Sequence, residues 1–284
     1  MASLLALLLV WDLVVRVFSI PPFVLPSPAA AFSAVVGDWD RIQVGLLSTS
    51  RVFGVGFVAG AVLGFVLAVA MASSLWLYRL AYPVMIITQA VPVVAIGAAL
   101  VIWLGFGLAP KVVVVAMIVF FPVLVNVVDG LRSVDTDALN LARAMGASRL
   151  RTFMVIRLPA TYTPLFSALK MSATFSVTGA VLAESLASTT GGLGVYLSTM
   201  QGRFNTPGVF AAIIVLAAVG LTAFLIIALW ESAATPWRRT SVVPRRRRYT
   251  GSPAAAATTP VEGDATRLLS TTPSTASGQG RKTS

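Results

Sequence analysis

Six apolar stretches, each about as long as a bilayer is thick, constrain this chain more than any other feature. They cover residues 4–20, 52–72, 80–104, 112–128, 165–187 and 209–230. A hydrocarbon core of ~30 Å is crossed by about 20 apolar residues rising 1.5 Å each. Lipid offers the backbone no hydrogen bonds, so such stretches must satisfy their own as helices. The expectation is an all-α integral membrane protein with about six transmembrane helices. Only 11% of the residues are charged, against ~25% in soluble domains. The first stretch lacks a basic leading region and runs into a proline-rich segment, 21–28, rather than a cleavage site, so it reads as a retained helix. Residues 30–50 mix Asp38, Trp39, Asp40 and Arg41 with Phe32, Val35, Val36 and Leu46, which reads as an interfacial amphipathic piece.

Histidine and cysteine are absent, which removes imidazole bases, thiol nucleophiles, disulfides and the usual zinc and haem ligand sets. The lysines are Lys111, Lys170 and Lys282, and none closes a phosphate-binding glycine loop. Any ATP used must be bound by another chain. An intramembrane enzyme would be reduced to carboxylate pairs or to Ser167 with Lys170. The net charge of +11 lies in short loops and the C-terminal segment beside apolar spans, which argues for the positive-inside rule and against nucleic acid. With the amino terminus inside, sixteen Lys and Arg fall on the cytoplasmic side and four on the other, Arg16 lying within the first stretch. Both termini are then cytoplasmic, Ser148 faces inward and Thr189 outward. The transmembrane domain spans 1–231. Residues 232–284 turn to Ser, Thr, Pro, Ala and Gly and should form a disordered cytoplasmic tail. Its run of Arg245, Arg246, Arg247 and Arg248 reads as an anchor for the last helix, or as a contact for anionic membrane lipid.

The loop 130–163, between the fourth and fifth stretches, is too polar to span and too patterned to be a mere connector. Asp135 and Asp137 suit a helix N-terminus, and Leu139, Ala142 and Met145 follow at spacing three as one apolar edge. Gly146 can end that helix in a left-handed conformation. Ser148 can cap a second helix over 149–156, with Leu150, Phe153 and Met154 on one side and Pro159 beyond its end. Two short helices should therefore meet at a glycine elbow.

This loop resembles the cytoplasmic signature of bacterial ABC-importer permease subunits, E-A-A-x3-G-x9-I-x-L-P. Aligned on Gly146, the chain supplies Ala142, Ile156, Leu158 and Pro159 at matching offsets, with Asn140 in the glutamate position and Leu141 in that of the first alanine. The resemblance extends over most of the membrane portion, through Leu25-Pro26-Ser27-Pro28, Gln89-Ala90-Val91-Pro92, Trp103-Leu104-Gly105-Phe106-Gly107, Asp129-Gly130-Leu131-Arg132-Ser133-Val134-Asp135, Ala183-Glu184, Gly192-Leu193-Gly194 and Asn205-Thr206-Pro207. These details look like the nitrate, sulfonate, taurine, hydroxymethylpyrimidine and riboflavin branch. The resemblance implies a type I importer permease fold in a bacterial inner (plasma) membrane, without catalysis, cofactor or metal in this chain. ATP and Mg would be bound by partner ATP-binding subunits, an external binding protein would deliver a small solute, and two permeases would pair as a homodimer. It also implies that Asn140, Leu141, Ala142, Arg143, Ala144, Met145 and Gly146, with Ile156, Leu158 and Pro159, couple the permease to the ATPase. A self-contained secondary transporter or channel is the alternative; it should show internal repeats or several titratable residues within the spans.

Gln89, Pro92, Asn126 and Glu184 are the candidate pathway or gate residues. Pro92 and Pro122 should interrupt helical hydrogen bonding next to polar side chains, and Glu184 is ionisable at membrane depth, with Lys111 or Arg203 as a structural partner in the plainer reading. Asp12 and Arg16 are spaced to pair on one helix face. Gly56, Gly60 and Gly64 recur at four and should let their helix approach a neighbour closely.

Overall fold

The computed structural model describes residues 2–187 and 191–235. Thr189 and residues 236–284, including the arginine run, lie outside the described residues. Eleven helices follow one another among the described residues: α1 (Ala2–Val17), α2 (Pro28–Gly37), α3 (Trp39–Ser73), α4 (Leu75–Gln89), α5 (Val93–Leu104), α6 (Leu108–Arg132), α7 (Thr136–Ala144), α8 (Arg149–Thr152), α9 (Leu158–Ala187), α10 (Leu193–Gly202) and α11 (Thr206–Ala234). A π-helical turn, Phe153–Arg157, joins α8 to α9. Several sequence motifs are caps of these helices. Ser27 accepts from the Ala30 N–H with Pro28 at the first turn, and Asn205 accepts from the Gly208 N–H with Pro207 in the same role.

The protein is all-α, with four helical segments long and apolar enough to cross a membrane: Trp39–Ser73, Leu108–Arg132, Arg149–Ala187 and Thr206–Ala234. A fifth crossing results if α4 and α5 together count as one. The stretch 80–104 is not one helix: α4 and α5 meet at 95°, at the proline where an interruption was expected. Pro92 stands at the N-cap of α5, so it marks a break rather than a kink within a continuous helix. Proline has no N–H to donate and disfavours helical geometry at Val91 before it. Pro122, by contrast, sits inside an unbroken α6. The first stretch forms α1, whose 16 residues reach only ~24 Å. On it Arg16 and Asp12 pair at 2.7 Å.

Residues 30–50 do not form one piece. Asp38 ends α2, and Trp39 opens the 35-residue α3, so Ser50 lies well inside a long helix. At the other end, α11 runs to Ala234, past the boundary expected at 231.

The core is built on α6. Val119, Val123, Leu124, Val127 and Val128 are all fully buried, against Ala68 and Met71 of α3 and Ala168 of α9. Apolar side chains gain little from leaving lipid for protein, so close packing must hold these helices together. The glycine ladder supplies it. A Cβ at Gly56 would stand 2.6 Å from that of Val115, one at Gly60 would meet the Ala116 carbonyl, and one at Gly64 would lie 2.7 Å from the Phe120 carbonyl. At one end of the bundle, Tyr196 of α10 donates a 2.8 Å hydrogen bond to Asp38. Burial, and then that carboxylate, hold its phenol above its ordinary pKa.

Candidate functional site: an elbow, an uncharged cavity and a sealed cluster

The elbow is built from local chemistry. The Asp135 side chain accepts from the Asp137 N–H at 3.0 Å and starts α7, and Ser148 accepts from the Arg151 N–H at 3.3 Å and starts α8. Between them Gly146 has φ +77°, a conformation costly to most side chains, and a Cβ placed there would touch nothing within 4 Å. The apolar edge divides in the fold. Leu139 is buried, Ala142 is half-buried, and Met145 is 79% exposed. Leu141 and Leu150 are exposed as well, so an apolar surface faces outward around the elbow. Asn140 accepts a 3.0 Å hydrogen bond from the Arg143 guanidinium one turn on.

The second short helix is not separate. α8 passes through the π-helical turn directly into α9, so Ile156 lies in that turn and Leu158 and Pro159 open α9 instead of standing beyond a helix end. Proline in a first turn forfeits no internal hydrogen bond, which lets the chain continue. The elbow thus leads without a break into a helix long enough to cross a membrane. The return side is packed too, since a Cβ on Gly130 would stand 2.7 Å from Pro164.

A cavity of about 360 Å³ opens where α4 breaks from α5, against α6 and α9. Gln89, Thr88 and Thr178 are its polar side chains, set among Ile96, Val114, Met117, Phe121 and Phe175, and no charged residue lines it. Val91 and Val93, on either side of Pro92, reach it, as does Pro122. Asn126 does not line it and donates to the Pro122 carbonyl at 2.8 Å.

Glu184 is elsewhere. It is fully buried at the end of the bundle opposite the elbow, where α3, α9 and α10 meet. The Thr49 hydroxyl donates to its carboxyl at 2.8 Å and accepts from the Leu193 N–H at 2.9 Å. The Gly194 N–H donates to the same carboxyl at 2.8 Å, and buried Lys111 acts on it electrostatically. Gly192 (φ +117°) has room only for hydrogen, since a Cβ there would lie 2.5 Å from the carboxyl carbon. The spacing of Ala183-Glu184 and Gly192-Leu193-Gly194 thus records one contact: a carboxyl filling a glycine turn. Thr49 had no signal in the sequence to set it apart, being the middle one of three consecutive hydroxyls, Ser48, Thr49 and Ser50, on a long apolar helix. Thr49→Val should strand the buried Leu193 N–H and remove a donor to Glu184, costing about 1–3 kcal/mol. A thermal melt of the purified chain should show a clear drop in midpoint, with Thr49→Ser restoring most of it.

Lys170 is engaged with Glu231 of α11 at 2.6 Å, a pairing across 61 residues that the sequence did not suggest. Among the described residues no group of three or more His, Cys, Asp or Glu is placed to hold a metal ion.

Comparisons with known proteins converge with this geometry. The chain is 30% identical over 236 residues to a formylaminopyrimidine transport permease protein of Halalkalibacterium halodurans, covering 83% of this chain and 94% of that one. It is 32% identical over 241 residues to a riboflavin transport system permease protein of Chloroflexus aurantiacus, covering 83% and 88%. A taurine transport system permease protein of Escherichia coli is 25% identical over 246 residues, covering 83% and 88%. The fold is similar to that in a crystal structure of an amino acid ABC transporter with histidines, at a TM-score of 0.56 and 16% identity, covering 72% of this chain and 98% of that one. Residues 56–235 match the family described as binding-protein-dependent transport system inner membrane component. With apolar helices long enough to cross a membrane and this match over most of its length, the chain belongs to that family, as a permease subunit of an ABC importer for a small solute.

Proposed function

We propose that two copies of this chain form the pathway of an importer whose solute is an uncharged, flat heterocycle of the pyrimidine or riboflavin kind, rather than nitrate or a sulfonate. The carrying observation is the cavity, walled by apolar and aromatic side chains with only Gln89, Thr88 and Thr178 to offer hydrogen bonds. An oxyanion leaving water would need compensating charge or several donors, and this lining has no arginine or lysine. The pyrimidine and riboflavin permeases among the relatives support the same choice. In this reading the chain crosses the membrane six times, α1 included, with both termini cytoplasmic. The elbow of α7, Gly146 and α8 docks on an ATP-binding subunit, and closure of that partner is passed along α9 to the cavity. An external binding protein delivers the solute to the end where Glu184 and α10 lie. This is population shift driven by partners, with no chemistry in the permease.

The test is to purify the tagged chain with its native partners and measure what the accompanying binding protein holds. A heteroaromatic ligand is expected, and binding only of nitrate or a sulfonate would overturn the choice. For orientation, cysteines at Ser148 and Gln201, introduced into a chain that has none, should label from opposite sides of the membrane. Labelling of both from one side would rule out the topology.

A further inference from the structure

A second, smaller pocket of about 250 Å³ lies at the elbow end of the bundle, where α3 ends, α4 begins and α6 ends. Its walls include Met71, Leu75, Tyr78, Arg132, Leu139 and Arg157. Two guanidinium groups share it, and their surroundings complement each other. The Arg132 guanidinium lies 3.8 Å above the centre of the Tyr78 ring. Stacking occupies the flat face of the group and leaves its N–H edges for oxygen acceptors. Arg157 closes the π-helical turn before α9, and its Nε is buried with no acceptor among the described residues. A buried charged donor without an acceptor is costly to keep. Neither arginine forms an ion pair with a carboxylate among the described residues. Of the nearby acids, Asp129 is exposed and Asp135 is engaged in capping α7.

We propose that this pocket binds the phosphate ester of an anionic lipid headgroup, with Arg132 and Arg157 as its ligands. A phosphate offers several acceptor oxygens to two forked donors. The pocket sits at the ends of three apolar helices, and basic pockets between spans on the cytoplasmic side hold lipid phosphates. Met71, Leu75 and Leu139 add apolar lining to the same pocket, so an amphiphile uses both kinds of lining while a free phosphate uses one. Because Leu139 belongs to α7, the bound lipid braces the elbow from behind. The site depends on the chain spanning a bilayer and not on which solute is carried.

The test uses the full-length chain in vesicles of phosphatidylcholine doped with a photoactivatable phosphatidylglycerol. Crosslinks are expected on peptides carrying the end of α6 and the start of α9. Crosslinks confined to the segment after residue 235 would overturn the proposal. In binding titrations, phosphatidylglycerol should be preferred over phosphatidylcholine by roughly tenfold or more, on the scale of two arginines near a lipid surface. The double variant Arg132→Gln, Arg157→Gln should lose most of that preference, while Arg79→Gln, exposed and outside the pocket, should keep it. An unchanged preference in the double variant overturns the assignment. Glycerol 3-phosphate in solution should not displace the lipid at similar concentrations; if it does, the ligand is a free phosphate ester and the lipid reading falls. The crosslinking needs no variant, so a misfolded mutant cannot mask the result.

Discussion

Gly146→Asp should leave the protein in the membrane at normal levels and abolish ATP-driven uptake. The residue sits at φ +77° with open space where its side chain would be, so nothing inside the chain is struck. Aspartate is among the side chains that visit this backbone region, and the folding cost should be about 1 kcal/mol or less. What the substitution adds is a negative charge at an elbow whose exposed side chains include Leu141, Met145 and Leu150. A docked partner would have to desolvate that charge without pairing it, a penalty of several kcal/mol and enough to dissociate a subunit. Gly146→Asn separates charge from shape and should be milder. Ser148→Ala, which removes a cap worth about 1 kcal/mol, should also be milder. The measurements are membrane abundance, co-purification of the ATPase and solute-stimulated ATP hydrolysis. Normal uptake by Gly146→Asp would refute the coupling role of the elbow and favour a self-contained transporter.

Gly60→Leu should do the opposite, removing the folded protein before function can be assayed. Any Cβ at this position runs into the Ala116 carbonyl of α6 and lies 2.9 Å from the Val119 Cβ. The obstacle is backbone, which no rotamer change can move aside, so α3 and α6 would have to separate along their length. Overpacking a well-filled core costs about 1–3 kcal/mol, and a backbone clash belongs at or beyond the upper end. Gly54 provides the control on the same helix, because a Cβ there meets nothing within 4 Å. Gly54→Leu should yield monodisperse protein in detergent where Gly60→Leu gives aggregate, as read by size-exclusion profile and membrane yield. Equal behaviour of the two would show that α3 and α6 are not packed as described.

The elbow was the most legible part of the site because its determinants are neighbours in the chain. Asp135, Gly146 and Ser148 act on backbone groups two or three residues away, or on their own φ, so their roles follow from local stereochemistry. That the apolar edge of α7 divides, with Leu139 buried and Met145 exposed, was not legible for a related reason. Spacing alone defines a face, and which face is buried depends on what packs against it. The same limit applied to Pro159, where the chain continued as helix because the proline fell in a first turn.

The presence of long apolar helices, the caps at Asp135 and Ser148 and the concentration of arginines in one loop are set by composition and by contacts within a few residues, and the sequence alone determined them. The right-angle break between α4 and α5 is marked by Pro92 but not measured by it, because the direction taken after a break depends on what the second helix packs on, here α6 and α9. The Thr49–Glu184 contact joins residues 135 apart, and the Lys170–Glu231 pair joins residues 61 apart. Neither could be read in advance, since an apolar helix in lipid has no amphipathic stripe to announce its rotation, and only the close packing of α3, α6, α9 and α11 decides which of their few polar side chains meet.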